Sequence, residues 1–183
     1  LGIHGGMVIE GIRGPLSAAG LADNIAKVQA GGVATNILTR GFWTSFVVVG
    51  GGGITLSLLI AIFLFSKRDD HREIAKFSLI PGICGINEPV IFGLPMVLNP
   101  IFAIPFIINS AIAALIAIVA TNIGFISCGV LDCPPGLPVF ITGFISYGFH
   151  GISVQAIILA VTFVIWIPFV LLANKQAEVQ TEE

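Results

Sequence analysis

Three long stretches of the chain are apolar and carry no charged residue, which is the pattern of helices that cross a membrane. They run over residues 44–66, 101–125 and 151–173. Each is longer than the ~20 residues that an α-helix needs to cross a hydrocarbon core of ~30 Å. The pattern therefore predicts an all-α integral membrane protein. Within the first span, the glycine run from Gly50 to Gly53 predicts a bend or a close backbone contact, used for packing rather than as a gate.

Two further apolar stretches, residues 74–100 and 126–147, are interrupted by prolines and glycines. The prolines are Pro81, Pro89, Pro95, Pro100, Pro134, Pro135 and Pro138. Neither stretch can form one continuous helix, because proline removes a backbone donor and clashes with the preceding turn. Lipid cannot satisfy the freed backbone groups, so they must be buried in protein or line a wet cavity. We expect two re-entrant hairpins that enter from opposite faces and meet near the midplane, where transporters bind substrate.

Composition excludes several classes of protein. Hydrophobic residues make up 56% of the 183 residues and charged residues only 10%, whereas a soluble domain carries about 25% charged residues. A soluble globule and a disordered chain are both excluded on that ground. The net charge of −2 comes without a basic tract, so nothing supports nucleic-acid binding. There is no Walker A sequence and no metal-ligand spacing, and we expect no cofactor and no metal.

Basic residues predict the orientation in the membrane. Lys67, Arg68, Arg72 and Lys76 follow the first span, whereas residues 125–151 contain no Lys or Arg. The positive-inside rule then places the loop after the first span and the C-terminus in the cytoplasm. Residues 1–43 are predicted to be a connector with an amphipathic helix over 17–28, and residues 44–183 to be the transport domain.

Glu88 is the most informative polar residue. It lies in the sequence Gly85-Ile86-Asn87-Glu88-Pro89, with no Lys or Arg within ten residues on either side. A carboxylate placed at that depth costs about 2.5–3.5 kcal/mol, which only a function would maintain. We expect a buried acceptor that binds ligand hydroxyls, with the Asn87 amide beside it. Two alternatives stay open, namely a glutamate that caps the hairpin turn and a proton or cation site.

Four other polar residues are weaker candidates for a site. His4, beside Gly5 and Gly6, is either a local hydrogen-bonding residue or a ligand contact. Asp132 precedes Cys133 and Pro134, which favours a turn or cap role over substrate contact. His71 lies among the basic residues of the loop and is expected to be solvated, and His150 near a helix end is expected to be interfacial.

A longer pattern around Glu88 resembles a known family. The run GINEPVIFGLPMVLNPIFAIPFI over residues 85–107 is similar to the signature of the membrane-embedded IIC component of the phosphoenolpyruvate-dependent sugar phosphotransferase system, lactose/cellobiose/chitobiose family. GIHGG at 2–6 and ADNIAKVQAG at 22–31 agree with it. The resemblance thins after about residue 125, where DCPPGLPVFITGF keeps the prolines but lacks the tryptophan usual in that family.

The resemblance implies a function and a site. Such a IIC chain binds a disaccharide in the membrane of a bacterium and presents the 6-hydroxyl to a phosphocysteine of the IIB component, so this chain itself needs no phosphoryl-carrying residue. The glutamate of N-E-P and the histidine of I-H-G contact the sugar, which implies roles for Glu88 and His4, with Asn87 as a further candidate. The resemblance also implies a homodimer formed through an N-terminal part that precedes this sequence, so we do not expect the chain to transport alone.

Two functions of other kinds remain at this point. One is an ion-coupled secondary carrier that uses Glu88 as the coupling group. The other is a non-transporting membrane scaffold subunit, against which the intramembrane carboxylate argues.

Overall fold

The computed structural model describes residues 5–94, 96 and 99–182, with side chains described over 9–176 of that range. These residues form helices and loops, without a strand. The α-helices are α1 (Gly5–Gln29), α2 (Arg40–Phe42), α3 (Thr55–Phe65), α4 (Asp69–Ile83), α5 (Glu88–Gly93), α6 (Pro100–Asn122) and α7 (Ile141–Glu182). A π-helical segment, Trp43–Val47, follows α2, and a 3₁₀ turn, Gly52–Ile54, precedes α3.

Three helical stretches are long and apolar enough to cross a membrane: Arg40–Phe65, Pro100–Asn122 and Ile141–Gln176. They confirm the predicted all-α class and the three predicted spans. In the most apolar part of the first span 72% of the residues are buried, against 28% and 33% in the other two. The first span is therefore the centre of the bundle, with α3 packed against α7 and α4. In the other two spans most residues are at least partly exposed, as in helices that face lipid.

The first span is broken at its glycines instead of forming a single helix. Gly50, Gly51 and Gly53 have φ of 65°, 101° and 71°, and Ile54 also lies in the left-handed region. The backbone at Gly53 sits directly on the ring of Phe106 in α6, because a Cβ built there would lie 2.2 Å from Phe106 Cδ2. The close contact that the glycine run predicts is confirmed, and the bend proves to be a complete interruption of the helix.

The first proline-rich stretch is a helical hairpin. Helix α4 continues through Pro81 to Ile83, since only one helical hydrogen bond is lost this close to the helix end. Gly85, with φ of 77°, reverses the chain, and the short α5 returns along α4.

The second proline-rich stretch has one irregular leg and one helical leg. Residues 127–134 have no helix, and the helical leg begins at Ile141. Gly148, with non-helical φ and ψ of 65° and −154°, separates that leg from the rest of α7. Helix α1 extends well beyond the predicted 17–28 and holds the irregular leg, because its buried Asn24 donates from Nδ2 to the carbonyl oxygen of Gly129 at 3.0 Å.

His71 is buried, and the expectation of a solvated side chain is wrong. It lies in the first turn of α4 with 6% of its surface exposed. Its ring meets Phe102 edge-on, with the centroids 5.6 Å apart. The helical period turns this residue towards α6 while Arg72 and Glu73 stay exposed. Burial lowers the pKa of His71 and the Arg68 charge lowers it further, whereas Asp70 opposes the shift.

Substitution of Gly53 should destabilise the protein strongly. We expect Gly53→Ala to cost about 2–5 kcal/mol, because the alanine is strained at positive φ and its Cβ overlaps the Phe106 ring. The measurement is thermal or denaturant unfolding in detergent micelles. Gly11→Ala is the matched control, since Gly11 is helical and a Cβ added there would meet no atom within 4 Å. A gain of about 0.5–1 kcal/mol is expected at Gly11, and equal effects at both glycines would contradict the close contact.

Stability should fall with acidity through His71. Because the folded-state pKa of His71 lies below its usual value, the unfolded chain binds the proton more tightly. This contribution to stability is present above the unfolded pKa of about 6.5 and is lost as the pH falls below it. When the pH is lowered from 7 to 5, we expect the melting temperature of His71→Phe to fall less than that of the wild-type protein. An unchanged drop would show that the ring is hydrated, and Glu73→Gln, an exposed change two residues away, serves as the control.

Candidate functional site

Three interruptions of helical structure come together at one place. They are the glycine break of the first span (residues 50–54), the turn between α4 and α5 (residues 84–87, the first tip), and the non-helical residues 134–140 of the second proline-rich stretch (the second tip). The two tips are joined by a backbone hydrogen bond, in which the Val139 N–H donates to the carbonyl oxygen of Ile83 at 2.8 Å. Asn87 joins the first tip to the glycine break, because its Nδ2 donates to the carbonyl oxygen of Gly52 at 3.1 Å. The two stretches therefore meet, as their sequence patterns predict.

A small cavity of about 80 Å³ lies between these three parts. Thr44 and Gly50 line it from the first span, Cys84 and Gly85 from the first tip, and Pro134 to Leu137 from the second tip. Ligand pockets for small molecules measure about 300–1,000 Å³. The cavity is smaller than such pockets.

Glu88 begins α5 immediately beyond the first tip. The sequence predicts a buried carboxylate, but in this chain the side chain is exposed. The apolar side chains of Ile86 and Phe92, two residues before it and four residues after it, are exposed as well. Among the described side chains it has neither a hydrogen bond nor an ion pair, and it makes no capping bond to the turn. None of the described side chains therefore occupies its carboxylate oxygens, which can accept hydrogen bonds from a ligand.

Asn87 has a different position from its neighbour. Its side chain is buried, with 3% of its surface exposed. Its Nδ2 is bonded to Gly52, and its backbone carbonyl accepts hydrogen bonds from Val90 and Ile91. A Cβ at Gly51 would lie 2.6 Å from the Cβ of Asn87, so only glycine lets the two segments approach this closely. Asn87 therefore holds the turn against the glycine break, and its predicted contact with substrate stays a prediction.

His4, the third predicted site residue, lies outside the described residues, and its role also stays a prediction. Asp132 lies on the irregular leg, where its carboxylate is 3.7 Å from Nε of Arg40.

Sequence reasoning passed over Gln155, which organises the second tip. This α7 residue is fully buried. Its Oε1 accepts from the Phe140 N–H at 2.9 Å, and its Nε2 donates to the Ser45 carbonyl at 2.8 Å and to Thr142 Oγ1 at 3.0 Å. Phe140 needs such support because its φ is 72°. The available signal was a glutamine inside an uncharged span, since amides in membrane helices bond across to other segments.

Buried polar contacts continue along α7 towards its C-terminal end. Ser57 Oγ in α3 and Thr162 Oγ1 in α7 lie 2.9 Å apart, and Ser57 also donates to the Leu159 carbonyl. Four residues before Ser57, the Gly53 N–H donates a hydrogen bond to Ser110 Oγ of α6 at 3.0 Å. These contacts fix the glycine break against α6 and α7 on both sides, so the break has one defined shape.

Known proteins share both the sequence and this architecture. The model of the family "Phosphotransferase system, EIIC" matches residues 1–110. The chain is 40% identical to the cellobiose-specific EIIC component of the phosphotransferase system from Lactococcus lactis subsp. lactis, over 99% of this chain and 41% of that protein. It is 34% identical to the lichenan permease IIC component of Bacillus subtilis, over 96% of this chain and 39% of that protein.

A solved structure agrees with these relatives. The crystal structure of the transporter ChbC, the IIC component of the N,N'-diacetylchitobiose-specific phosphotransferase system, superposes with a TM-score of 0.91 and 29% identity. The match covers 99% of this chain and 43% of that one. The chain thus spans about two fifths of the length of these proteins. With a family model that matches more than half of its residues, three apolar spans and this shared architecture, the chain belongs to the EIIC family of the phosphotransferase system, whose members are integral membrane proteins.

Proposed function

We propose that this chain is the sugar-binding and translocating part of a phosphotransferase-system permease. The observation that carries the proposal is the meeting of three helix interruptions around one cavity, beside a carboxylate that has no partner among the described side chains. Interrupted helices inside a membrane provide polar backbone and side-chain groups for a substrate. Relatives named for cellobiose, for lactose and for N,N'-diacetylchitobiose support a disaccharide as that substrate.

The chemistry assigned to the site is hydroxyl recognition. Glu88 accepts a hydrogen bond from the sugar and thereby orients and polarises a hydroxyl group. His4 supports the same hydroxyl or stabilises the charge of the incoming phosphoryl group. Asn87 keeps Glu88 in position, because it fixes the preceding residue of the turn to the broken span. The 6-hydroxyl is then phosphorylated by the phosphorylated IIB component, and several relatives named EIICB components support that partner.

Placement in the membrane follows the same proposal. The two proline-rich stretches act as re-entrant hairpins from opposite faces, which the hydrogen bond between their tips supports. The loop between α3 and α4 and the C-terminus lie on the cytoplasmic side of a bacterial inner membrane. The intact permease is a homodimer formed through the part of the protein outside this sequence. Residues 44–183 bind the substrate, and residues 1–43 connect them to that part.

Loss of either polar site residue should abolish transport. We expect Glu88→Gln and His4→Ala, each made in the intact permease, to abolish disaccharide uptake and disaccharide binding at the site beside the hairpin tips. Glutamine keeps the size of Glu88 but loses the charged acceptor, and alanine removes the imidazole. Uptake of labelled cellobiose, chitobiose and lactose, together with binding to purified protein, provides the measurement. Glu73→Gln is the matched control, because Glu73 is exposed on α4 away from the tips.

Two outcomes would contradict the proposal. Wild-type affinity for the disaccharide in both variants would show that neither Glu88 nor His4 contacts the sugar. Uptake that survives loss of the phosphoryl donor proteins but collapses with an uncoupler would identify an ion-coupled carrier instead.

Gln155 should affect sugar affinity through the second tip. We expect Gln155→Met, which keeps the length but loses three hydrogen bonds, to lower stability by about 2–4 kcal/mol and to weaken disaccharide binding. Gln155→Glu keeps the acceptor for the Phe140 N–H but loses the hydrogen bonds that Nε2 donates to Ser45 and Thr142. The stability of this variant should fall, while the bond to Phe140 still holds the second tip. Binding and unfolding are measured on the same samples, and Ser153→Ala, an exposed change on the same helix, is the control. If Gln155→Met binds the disaccharide with unaltered affinity, the second tip does not contribute to sugar binding.

A further inference from the structure

A second, larger cavity lies at the end of the first span opposite the Lys67 loop. It measures about 430 Å³. One wall is α1, with the small or apolar side chains of Ala18, Leu21 and Ala22, and the other wall carries Arg40 and Asp132. Its volume lies within the range of about 300–1,000 Å³ that pockets for small organic ligands occupy. The cavity between the tips does not reach that range.

The two charged groups of this cavity keep much of their hydrogen-bonding capacity. Arg40 Nε and Asp132 Oδ2 are 3.7 Å apart, which is an ion pair too long for a hydrogen bond. Their side chains are 48% and 31% exposed. The guanidinium therefore has donors, and the carboxylate has acceptors, that face the cavity and the solvent. A donor and an acceptor opposite a wall of small apolar residues suit a neutral sugar, which presents both hydroxyl groups and C–H faces.

The large cavity and the cavity between the tips share two segments of their walls. On the first span, Arg40 lines the large cavity and Thr44, one helical turn further, lines the small one. On the irregular leg, Asp132 lines the large cavity and Pro134 lines the small one. The two cavities are therefore consecutive along the same pair of segments, and the second ends at Gly85, three residues before Glu88.

We propose that the cavity at Arg40 and Asp132 is an entry subsite, which binds the disaccharide before it reaches the hairpin tips. The inference rests on the proposed function, because it assigns the first position on the path to that site. Arg40 donates to sugar hydroxyl oxygens, Asp132 accepts from sugar hydroxyl groups, and the α1 wall packs against the C–H face of the sugar. The subsite captures substrate and takes no part in phosphoryl transfer.

Removal of both charges should impair capture and leave turnover unaltered. In the intact permease we expect Arg40→Gln with Asp132→Asn to raise the KM for disaccharide uptake by at least about tenfold, the effect of losing one hydrogen bond to a charged group. The saturated rate should stay at the wild-type value. The protein should still fold, because partly exposed ion pairs add little stability. The control is Asp23→Asn with Lys27→Gln, which removes an exposed ion pair from α1 outside the cavity.

The outcomes separate this inference from the proposed function. An unchanged KM would overturn the entry subsite. A lower saturated rate at unchanged KM would also overturn it, and would indicate that the ion pair instead holds the first span against the irregular leg. If the proposed function is wrong, Glu88→Gln transports normally, whatever the Arg40 and Asp132 variant does. If only the subsite is wrong, Glu88→Gln is inactive and the double variant behaves as its control.

Thiol protection tests occupancy directly. Ala18→Cys lies in the cavity wall, and Ala19→Cys lies on the exposed side of the same helix turn. Both are made with Cys84 and Cys128 replaced by serine, and are labelled with a water-soluble maleimide in membranes open on both faces. We expect the disaccharide to slow labelling of Ala18→Cys several-fold and to leave Ala19→Cys unaffected. Protection should persist with Glu88→Gln. If the disaccharide does not protect Ala18→Cys, or if protection is lost with Glu88→Gln, then the cavity is not a subsite that binds sugar independently of Glu88.

Discussion

The structure depends on one constraint, which is that backbone groups freed by interrupted helices cannot be left to lipid. Side-chain amides from distant parts of the sequence meet that requirement. Asn87 bonds to the Gly52 carbonyl, Asn24 to the Gly129 carbonyl and Gln155 to the Ser45 carbonyl. Each of these amides is buried. A break in one segment is therefore stable only while another segment is in place, so the breaks form together or not at all.

This mutual dependence also decides where a site can form. An uninterrupted apolar helix offers a ligand no polar group, because all of its backbone donors and acceptors are used internally. The interrupted segments provide backbone groups that are not used within a helix, and residues of all three line one cavity. The glycines of the first span make the arrangement possible, since a side chain at Gly51 would overlap Asn87 and one at Gly53 would overlap Phe106.

Much of this was predictable because it follows from solvation. Charge-free runs marked the three spans, and prolines marked the two stretches that could not be single helices. The errors concern the side of an element that a residue faces. His71 is buried although it lies among charges, and Glu88 is exposed although its neighbours are apolar. Such orientations are set by the packing of α4 against α3, of α5 against α4 and of His71 against Phe102 of α6, which are tertiary contacts. Gln155 was missed for the same reason, because its three partners lie on segments that only the fold brings together.

Two sets of polar side chains among the described residues differ in what they bond to. Asn24, Asn87, Gln155, Ser57 and Thr162 are buried and bonded within the protein. Their hydrogen bonds hold segments together, so they have little capacity left for a ligand. Glu88, Arg40 and Asp132 are at least partly exposed and retain free acceptors or donors. On the proposed path a sugar must bind to and leave each position in turn, which suits groups that are not already hydrogen-bonded within the protein. Arg40 and Asp132 line the large cavity, and Glu88 follows the turn that lines the small one. On the proposed path a sugar would therefore contact the second group without breaking the hydrogen bonds of the first.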